Sequence, residues 1–318
     1  MSSVGGYIIK RILWMIPVLF VVTSVTFLLC RYGPGDPVEI RTGGRADPET
    51  VERVRQELGL NRPIPVQYAE YMMGFAQGDM GESISKYPGA PVWELIRERM
   101  WVTAQLNATS LVILFSLGVV AGSFAARNVG KWKDPAIISF LLLFQSIPTV
   151  VFIPILLWVF VLKFSVLPAA GWEGILSLHI IIPLLALVLP SVAGVARLMR
   201  ISLLGTMGQD WVRTARSKGL PERDVFRRHI LRPAALPMTT EVGAALGAIF
   251  SGAFFVELLY GIPGMGRLAL DAVQARDYDL IMAVVIIYTV VFLVARLITD
   301  IAYTFVDPRI RLGAGSQR

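Results

Sequence analysis

The sequence has little charge and very few residues that could bind a metal or form a disulfide. Charged residues make up 17% of its 318 residues, against roughly 25% in soluble proteins, and apolar residues make up 55%. The single cysteine, Cys30, excludes a disulfide within the chain, and with two histidines a zinc cluster is not expected. The chain is therefore too apolar for an ordinary soluble enzyme and also for a disordered protein.

Motifs for nucleotide binding and hydrolysis are missing as well. The only Gly-Lys pair, Gly130-Lys131, is followed by Trp132, so the sequence lacks a Gly-x(4)-Gly-Lys-Ser/Thr phosphate loop. It also lacks a Gly-x-Ser-x-Gly elbow and a His-Glu-x-x-His zinc motif. We therefore expect no catalytic residue, no metal site and no cofactor in this chain.

Six apolar windows are long enough to cross a bilayer. A hydrocarbon core of about 30 Å takes roughly 20 helical residues, and backbone groups in lipid must find partners within the protein. Apolar and polar residues do not alternate within these windows as they do in barrel strands. The windows therefore predict an all-α membrane protein with six transmembrane helices. The first is too long for a signal-peptide core and is interpreted as a retained helix. The windows are 8–29, 102–126, 135–162, 178–198, 236–259 and 280–305.

Basic residues are concentrated in alternate connections between these windows. With the N-terminus in the cytoplasm, the inner segments hold 17 basic and 5 acidic residues, and the outer segments hold 12 basic and 15 acidic residues. This asymmetry predicts that both termini are cytoplasmic. Because the basic residues lie in short blocks between apolar runs, the net charge of +7 indicates orientation in a membrane and not nucleic-acid binding.

Two connections, 31–101 and 199–233, are large enough to have structure of their own. Residues 1–30 are predicted to form the first membrane helix, and residues 31–101 are predicted to form a small helical external subdomain. Asp47 followed by Pro48 indicates a helix start there, and this subdomain either covers polar loops or docks an external partner. The remaining residues, 102–318, form a five-helix membrane core that includes a strongly basic segment, 199–233.

The basic segment 199–233 is predicted to contain a short amphipathic helix outside the membrane. Asp210 can cap its start, and Lys218 followed by Gly219 marks its end. Three interpretations remain open from composition: a helix lying on anionic lipid, a merely positive loop, or a lever that fits into a cytosolic partner.

Charged and small residues inside the windows suggest few functional sites. Arg296 and Asp300 are four residues apart and are interpreted as a structural pair, while Glu241 and Glu257 lie near window ends. Neither glutamate is placed like a midplane proton relay, so an ATP-independent secondary transporter is the less favoured alternative, as is a membrane anchor for a cytosolic partner. Small-residue stripes permit close helix contacts, either within the chain or with another subunit. They are Gly118 with Gly122, and Gly243 with Gly247 and Ser251.

An ordered set of motifs resembles the membrane permease subunit of peptide-type ABC importers, the branch of dipeptide and oligopeptide permeases. Each motif is short, but together they extend over nearly the whole chain. In chain order they are Pro34-Gly35-Asp36-Pro37, 58–63, 78–81, 145–148, 213–219, 228–232, Glu257, 262–267 and 275–278. The motif at 262–267 contains Pro263, Gly264 and Gly266.

The stretch 213–219 resembles the Glu-Ala-Ala-x(3)-Gly motif of ABC importer permeases. Its second alanine and its glycine are present, while Arg and Thr replace the first Glu-Ala, as is common in the peptide branch. The resemblance implies that this coupling helix contacts an ATPase subunit. The implied contact residues are Thr214, Ala215, Arg216, Gly219 and Leu220.

The resemblance also implies an assembly and a mechanism. A type I ABC importer permease of this kind pairs with a second, homologous permease, two cytoplasmic ABC ATPases that hold ATP and Mg²⁺, and an external substrate-binding protein. It lies in the inner membrane of a prokaryote and passes short peptides when ATP binding rocks its helices. Nickel or glutathione, carried by importers of the same branch, are the alternative substrates.

Overall fold

The computed structural model describes residues 4–33, 38, 47–57, 59–247, 249 and 253–306. Within those ranges the regular structure is helical, apart from one isolated antiparallel bridge between Glu82 and Pro91. Pro34-Gly35-Asp36-Pro37, one of the motifs of the resemblance, lies outside the described residues.

Twelve helices are labelled here in chain order. The first half contains α1 (Val4–Tyr32), α2 (Pro48–Glu57), α3 (Ile64–Ala76), α4 (Val92–Arg127), α5 (Lys133–Gln145) and α6 (Thr149–Leu157), which continues as a wider π-helical turn, Trp158–Lys163. The second half contains α7 (Ile181–Met207), α8 (Asp210–Ser217), α9 (Leu236–Gly247), α10 (Phe254–Tyr260), α11 (Met265–Gln274) and α12 (Tyr278–Val306). Between α8 and α9, after a turn at 218–221, the chain is helical again over residues 222–234, with a π-helical part, Val225–Leu231.

Four helices are long and apolar enough to cross a bilayer, and they coincide with four of the predicted windows. The third window is different, because α5 and α6 meet at an angle of 94°. Pro148 causes the break: it has no N–H to donate, and it disfavours a helical conformation at the residue before it. Among the described residues there are thus four candidate spans, or five if this bent pair counts as one. The four long spans are Ile8–Tyr32, Val92–Arg127, Leu178–Met207 and Tyr278–Thr299.

The window 236–259 does not form the single helix that was predicted. It contains α9 and α10, of twelve and seven residues, with the described residue Ile249 in a turn between them. The carbonyl of Ile249 accepts a hydrogen bond of 2.7 Å from the side-chain amide of Asn107. A backbone carbonyl without a helical partner needs such a donor, which hydropathy alone does not reveal. The prediction of six spans is thus not confirmed.

The chain divides into two compact units, each with its own apolar core. The first comprises Met1–Thr103, Phe250–Phe254 and Pro263–Val294, and in its core Val92 and Ile96 pack with residues of α11 and α12. The second comprises Ala104–Ile249, Phe255–Ile262 and Ala295–Arg318. The boundaries predicted at 30/31 and 101/102 stay predictions.

Inside the second unit, the glycine pair of α4 permits a close contact with α7. A Cβ placed on Gly118 would come within 2.4 Å of Val195, and one on Gly122 would come within 2.4 Å of the backbone oxygen of Ala196. Real Cβ atoms do not approach this closely, so both positions need glycine. The stripe Gly118-x-x-x-Gly122 therefore makes a contact within the chain.

The predicted external segment contains helices and, at residues 77–91, a non-helical connection. The structure has α2 and α3 there, as well as the start of α4 at Val92, which continues without a break into the second span. Asp47 precedes α2 as predicted, and a hydrogen bond from the Thr50 side chain lowers the pKa of its carboxyl.

Candidate functional site

The basic segment forms a short helix with two distinct faces. In α8, Val212 and Ala215 are buried, whereas the intervening Arg213 and Thr214 are exposed. The helix begins at Asp210 itself, one residue earlier than the predicted cap position implied, and Gln209 is the residue that precedes it in extended conformation. The two buried side chains are three positions apart, so they lie on the same side of the helix and leave a polar side free.

A tight turn ends α8 at the predicted glycine. Gly219 has a φ of +76°, a left-handed conformation that side chains other than glycine adopt at a cost. Its N–H donates to the carbonyl of Arg216 at 2.9 Å. Arg216 also donates two hydrogen bonds across the turn to the carboxylate of Glu222, of 3.1 and 2.7 Å.

The Arg216 guanidinium lowers the pKa of the Glu222 carboxyl through these hydrogen bonds. A carboxyl whose pKa is lower in the folded state stabilises the fold above its unfolded pKa, and this contribution is lost as the pH falls through the lowered value. The turn is thus clamped at neutral pH. Both side chains are largely exposed, at 47% and 66%, so the pair contributes about 1 kcal/mol at most.

The buried face of α8 is part of a continuous apolar cluster. Val212 and Ala215 pack with the end of α4, with α7, with the helical residues 225–234 and with Met238 of α9. Close-packed side chains transmit displacement, because they have no free volume to absorb it. A force on α8 is therefore passed to three longer helices. The fully buried members are Ala126, Met199, Leu203, Val212, Ala215, Val225, Phe226, Ile230, Ala234 and Met238.

Polar and cationic contacts fix the same segment from outside the cluster. The indole N–H of Trp211 donates to the carbonyl of His229 at 3.3 Å. The guanidinium of Arg127, at the end of α4, lies 3.6 Å above the ring centroid of Phe226, a cation–π contact. Sequence reasoning missed these residues, because their partners lie far along the chain.

Six exposed residues between positions 213 and 228 are cationic. Thr214, Gly219 and Leu220, three of the five predicted contact residues, lie on this surface with Arg216, whereas the Ala215 side chain packs inward. The structure thus separates residues that can touch a partner from one that positions them. The exposed cations are Arg213, Arg216, Lys218, Arg223, Arg227 and Arg228.

Arg216 has two possible roles, and a charge swap separates them. Replacing Arg216→Glu alone opens the turn and is expected to reduce function several-fold. The double variant R216E/E222R restores the clamp but puts an anion where a partner would meet a cation. If Arg216 contacts a partner, the double variant stays as defective as the single one in a transport assay. Recovery of transport would show that Arg216 only clamps the turn.

A second ion pair, also missed from the sequence, joins the start of α5 to α7. Arg200 donates two hydrogen bonds to the Asp134 carboxylate, of 2.6 and 2.5 Å. The Asp134 side chain is only 7% exposed, and that of Arg200 is 27% exposed. Two parallel bonds fix both angle and distance, so this pair holds the end of α7 that leads into α8.

In the first unit, Asp277 anchors a loop of the external segment. Its buried carboxylate accepts hydrogen bonds from the Ser83 hydroxyl at 2.5 Å and from the backbone N–H groups of Ile84, Ser85 and Lys86 at 3.1–3.3 Å. Asp277 directly precedes α12, and its carboxylate also accepts a hydrogen bond from the N–H of Leu280, the third residue of α12. One side chain therefore fastens the loop 83–87 to the start of the last span.

Replacing Asp277→Asn is expected to loosen this loop without unfolding α12. Asparagine still caps a helix, but it carries no charge and points N–H donors at backbone donors. We expect a loss of about 1–2 kcal/mol, since hydrogen bonds to a charged group are the stronger kind. Hydrogen exchange of residues 83–87 measures it: faster exchange there with unchanged exchange in α12 is expected, and equal protection in both proteins would contradict the anchor.

The other motif residues have structural places. Glu257 is fully buried in α10, and its carbonyl accepts from the N–H of Ile262 at 2.9 Å. Gly264 precedes α11 in extended conformation, and the N–H of the next residue, Met265, donates a hydrogen bond to the hydroxyl oxygen of Thr103 at 2.9 Å. Gly266, in the first turn of α11, is buried, whereas Pro263 is half-buried.

The long apolar helices among the described residues indicate a multi-pass membrane protein, and α8 adds an exposed polar face to it. Residues 118–312 match the family described as binding-protein-dependent transport system inner membrane component, and residues 5–107 match the N-terminal region of such membrane components. The chain therefore belongs to the inner membrane components of binding-protein-dependent transport systems.

Relatives of known name agree with this family. The chain is 35% identical to the oligopeptide transport system permease protein OppB of Haemophilus influenzae and 35% identical to the glutathione transport system permease protein GsiC of Escherichia coli K12. Each comparison covers 96% of this chain and 99% of the relative. The MetNI methionine ABC transporter, in inward-facing form, has a chain of the same fold: TM-score 0.55, 14% identity, 68% of this chain and 97% of that one.

Proposed function

We propose that this protein is the permease subunit of an ATP-driven importer and that it translocates short peptides. The observation that carries the proposal is α8: its exposed outer face is polar and includes Arg213, Thr214 and Arg216, and its inner face packs on the ends of α4, α7 and α9. The permease names of its relatives support the same function along the whole chain.

In the proposed mechanism, α8 lies in a groove of a cytoplasmic ABC ATPase. Thr214, Arg216, Gly219 and Leu220 contact the ATPase, and Ala215 holds them in place from within the cluster. When ATP draws two ATPases together, the displacement of α8 passes through the buried cluster to the spans. The spans then alternate between two packed arrangements, and this exchange opens the path to each side in turn.

The proposed assembly contains a second homologous permease, two ATPases and an external binding protein that delivers the substrate. ATP and Mg²⁺ belong to the ATPases, and this chain is a transport subunit with no catalytic role. We assign both termini and α8 to the cytoplasmic side, because the basic residues concentrate in the connections on that side of the membrane. The predicted fifth span, residues 236–259, would then cross as a broken helix.

The substrate class follows from the relatives, of which one transports oligopeptides and one glutathione by name. Both are molecules with peptide bonds, so short peptides are proposed, with glutathione as the second candidate. Nickel, which other importers of the same branch carry, is the third candidate substrate.

The first experiment is a pull-down of the tagged chain from native membranes in mild detergent. Recovery of a second permease and of ABC ATPases is expected. Reconstitution of that complex with its binding protein then allows uptake of labelled tripeptide, glutathione and nickel to be compared. Repeated recovery of this chain alone, in detergent that preserves other ABC complexes, would contradict the importer and favour a secondary transporter. Uptake of nickel without peptide uptake would contradict the substrate class.

A further inference from the structure

The first helix carries markers of its own depth in the membrane. Lys10 and Arg11 near one end and Arg31 near the other enclose residues 12–30, which include no charged side chain. At about 1.5 Å per residue this stretch measures about 28 Å, close to the thickness of a hydrocarbon core. Positions along α1 therefore indicate how deep a neighbouring residue lies.

Tyr68 of α3 contacts α1 well inside this uncharged stretch. Its hydroxyl is 2.6 Å from the hydroxyl of Thr23, which is completely buried. Its ring lies edge-on to the rings of Phe27 and Phe20, with centroids 5.4 and 6.1 Å apart. Thr23 precedes Arg31 by eight residues, or about 12 Å along the helix. Tyr68 thus reaches the depth of the acyl chains, where a hydroxyl needs the partner that Thr23 supplies.

The remaining surface of α3 has one apolar and one polar flank. At about 100° per residue, the exposed residues Val66, Ala69 and Met73 lie within about 60° of one another, and Ala69, the member nearest to Tyr68, lies about 100° from it around the helix. Met73 is 66% exposed and Val66 is 41% exposed. Glu70 lies further round and forms an ion pair with Arg62, in the turn before α3.

We propose that α3 is an interfacial helix that binds lipid acyl chains through the stripe Val66, Ala69 and Met73. Phe20 remains 61% exposed while it contacts Tyr68, so the apolar surface of α1 continues directly onto α3. The pair Glu70–Arg62 then lies at headgroup level. With 13 residues, about 20 Å, α3 is too short to cross the bilayer but suits a position in its surface.

Binding of lipid by α3 would give the external segment a second attachment, to the membrane itself. Through α3 the segment is held in the membrane surface, and the loop 83–87 is held separately by Asp277. The leaflet is the outer one if the proposed orientation holds. The inference itself requires only that α1 crosses the membrane, and it does not depend on the transported substrate.

The test uses nitroxide labels on the assembled complex in lipid nanodiscs, in a Cys30→Ser background. Ala69→Cys and Glu70→Cys are neighbours in sequence that point about 100° apart, so each controls for the other. At 69 the label is expected to collide more often with oxygen, which concentrates in lipid, than with a water-soluble nickel chelate. At 70 the order is expected to be reversed.

Two results would overturn the proposal. Preferential collision with nickel at both positions would place the stripe in water. An immobile label at 69, shielded from both reagents, would show that a protein subunit covers it. If the variant at 69 does not assemble, Met73→Cys takes its place. Because the collisions are read without transport, a failed uptake assay and a failed lipid contact remain distinguishable.

Discussion

Replacing Gly219→Trp is expected to reduce transport by about tenfold or more while the protein still inserts and pairs in the membrane. A Cβ at this position would meet no heavy atom of the described chain within 4 Å, apart from its chain neighbours, so the indole would project outward. If α8 lies in an ATPase groove, as proposed, the ring would wedge the two apart. Overpacking of this kind costs about 1–3 kcal/mol, and 1.4 kcal/mol corresponds to tenfold in binding. Uptake by the reconstituted complex, with the amount of bound ATPase, measures it.

Gly219→Ala and Gly219→Asn are the matched controls. Both bring a side chain into the left-handed conformation at φ +76°, which costs about 1–2 kcal/mol for alanine and less for asparagine. Neither is large enough to fill a groove, so both are expected to retain most of the transport. Normal uptake by the tryptophan variant would exclude a partner contact at Gly219. An alanine variant as defective as tryptophan would assign the effect to the turn.

Replacing Arg200→Met is expected to destabilise the second unit more than any other single change proposed here. It leaves the Asp134 carboxylate buried without its bidentate partner, and breaking a buried pair costs about 3–5 kcal/mol. Asp134→Asn is expected to cost less, because the Arg200 guanidinium is 27% exposed and can reach water. The thermal unfolding of the purified complex in detergent measures both.

Two further variants test whether geometry or charge matters at this pair. Arg200→Lys keeps the charge but loses the two parallel bonds, so an intermediate stability is expected. The swap D134R/R200D keeps both charges and is expected to recover part of the loss. Wild-type stability in the Arg200→Met variant would show that the pair contributes nothing and that the apolar contacts of α7 alone hold this end.

Local features of the sequence were read correctly where the chemistry is local. The helix at 210–217 and its end at Gly219 follow from a glycine that can adopt a left-handed conformation. Asp47 before Pro48 likewise marks the start of α2. The errors lie where hydropathy averages over breaks. The windows 135–162 and 236–259 are apolar on average, yet proline bends one and a turn interrupts the other.

The sequence by itself determined that this is a helical membrane protein of the permease family, because apolar length, charge asymmetry and turn motifs are properties of neighbouring residues. Only the tertiary structure decided which residues hold it together. Asp277 meets Ser83 across 194 positions, Arg200 meets Asp134 across 66, and Tyr68 meets Thr23 across 45. Such pairs depend on how distant helices pack, and in a low dielectric each buried polar group must find its partner wherever the fold brings one.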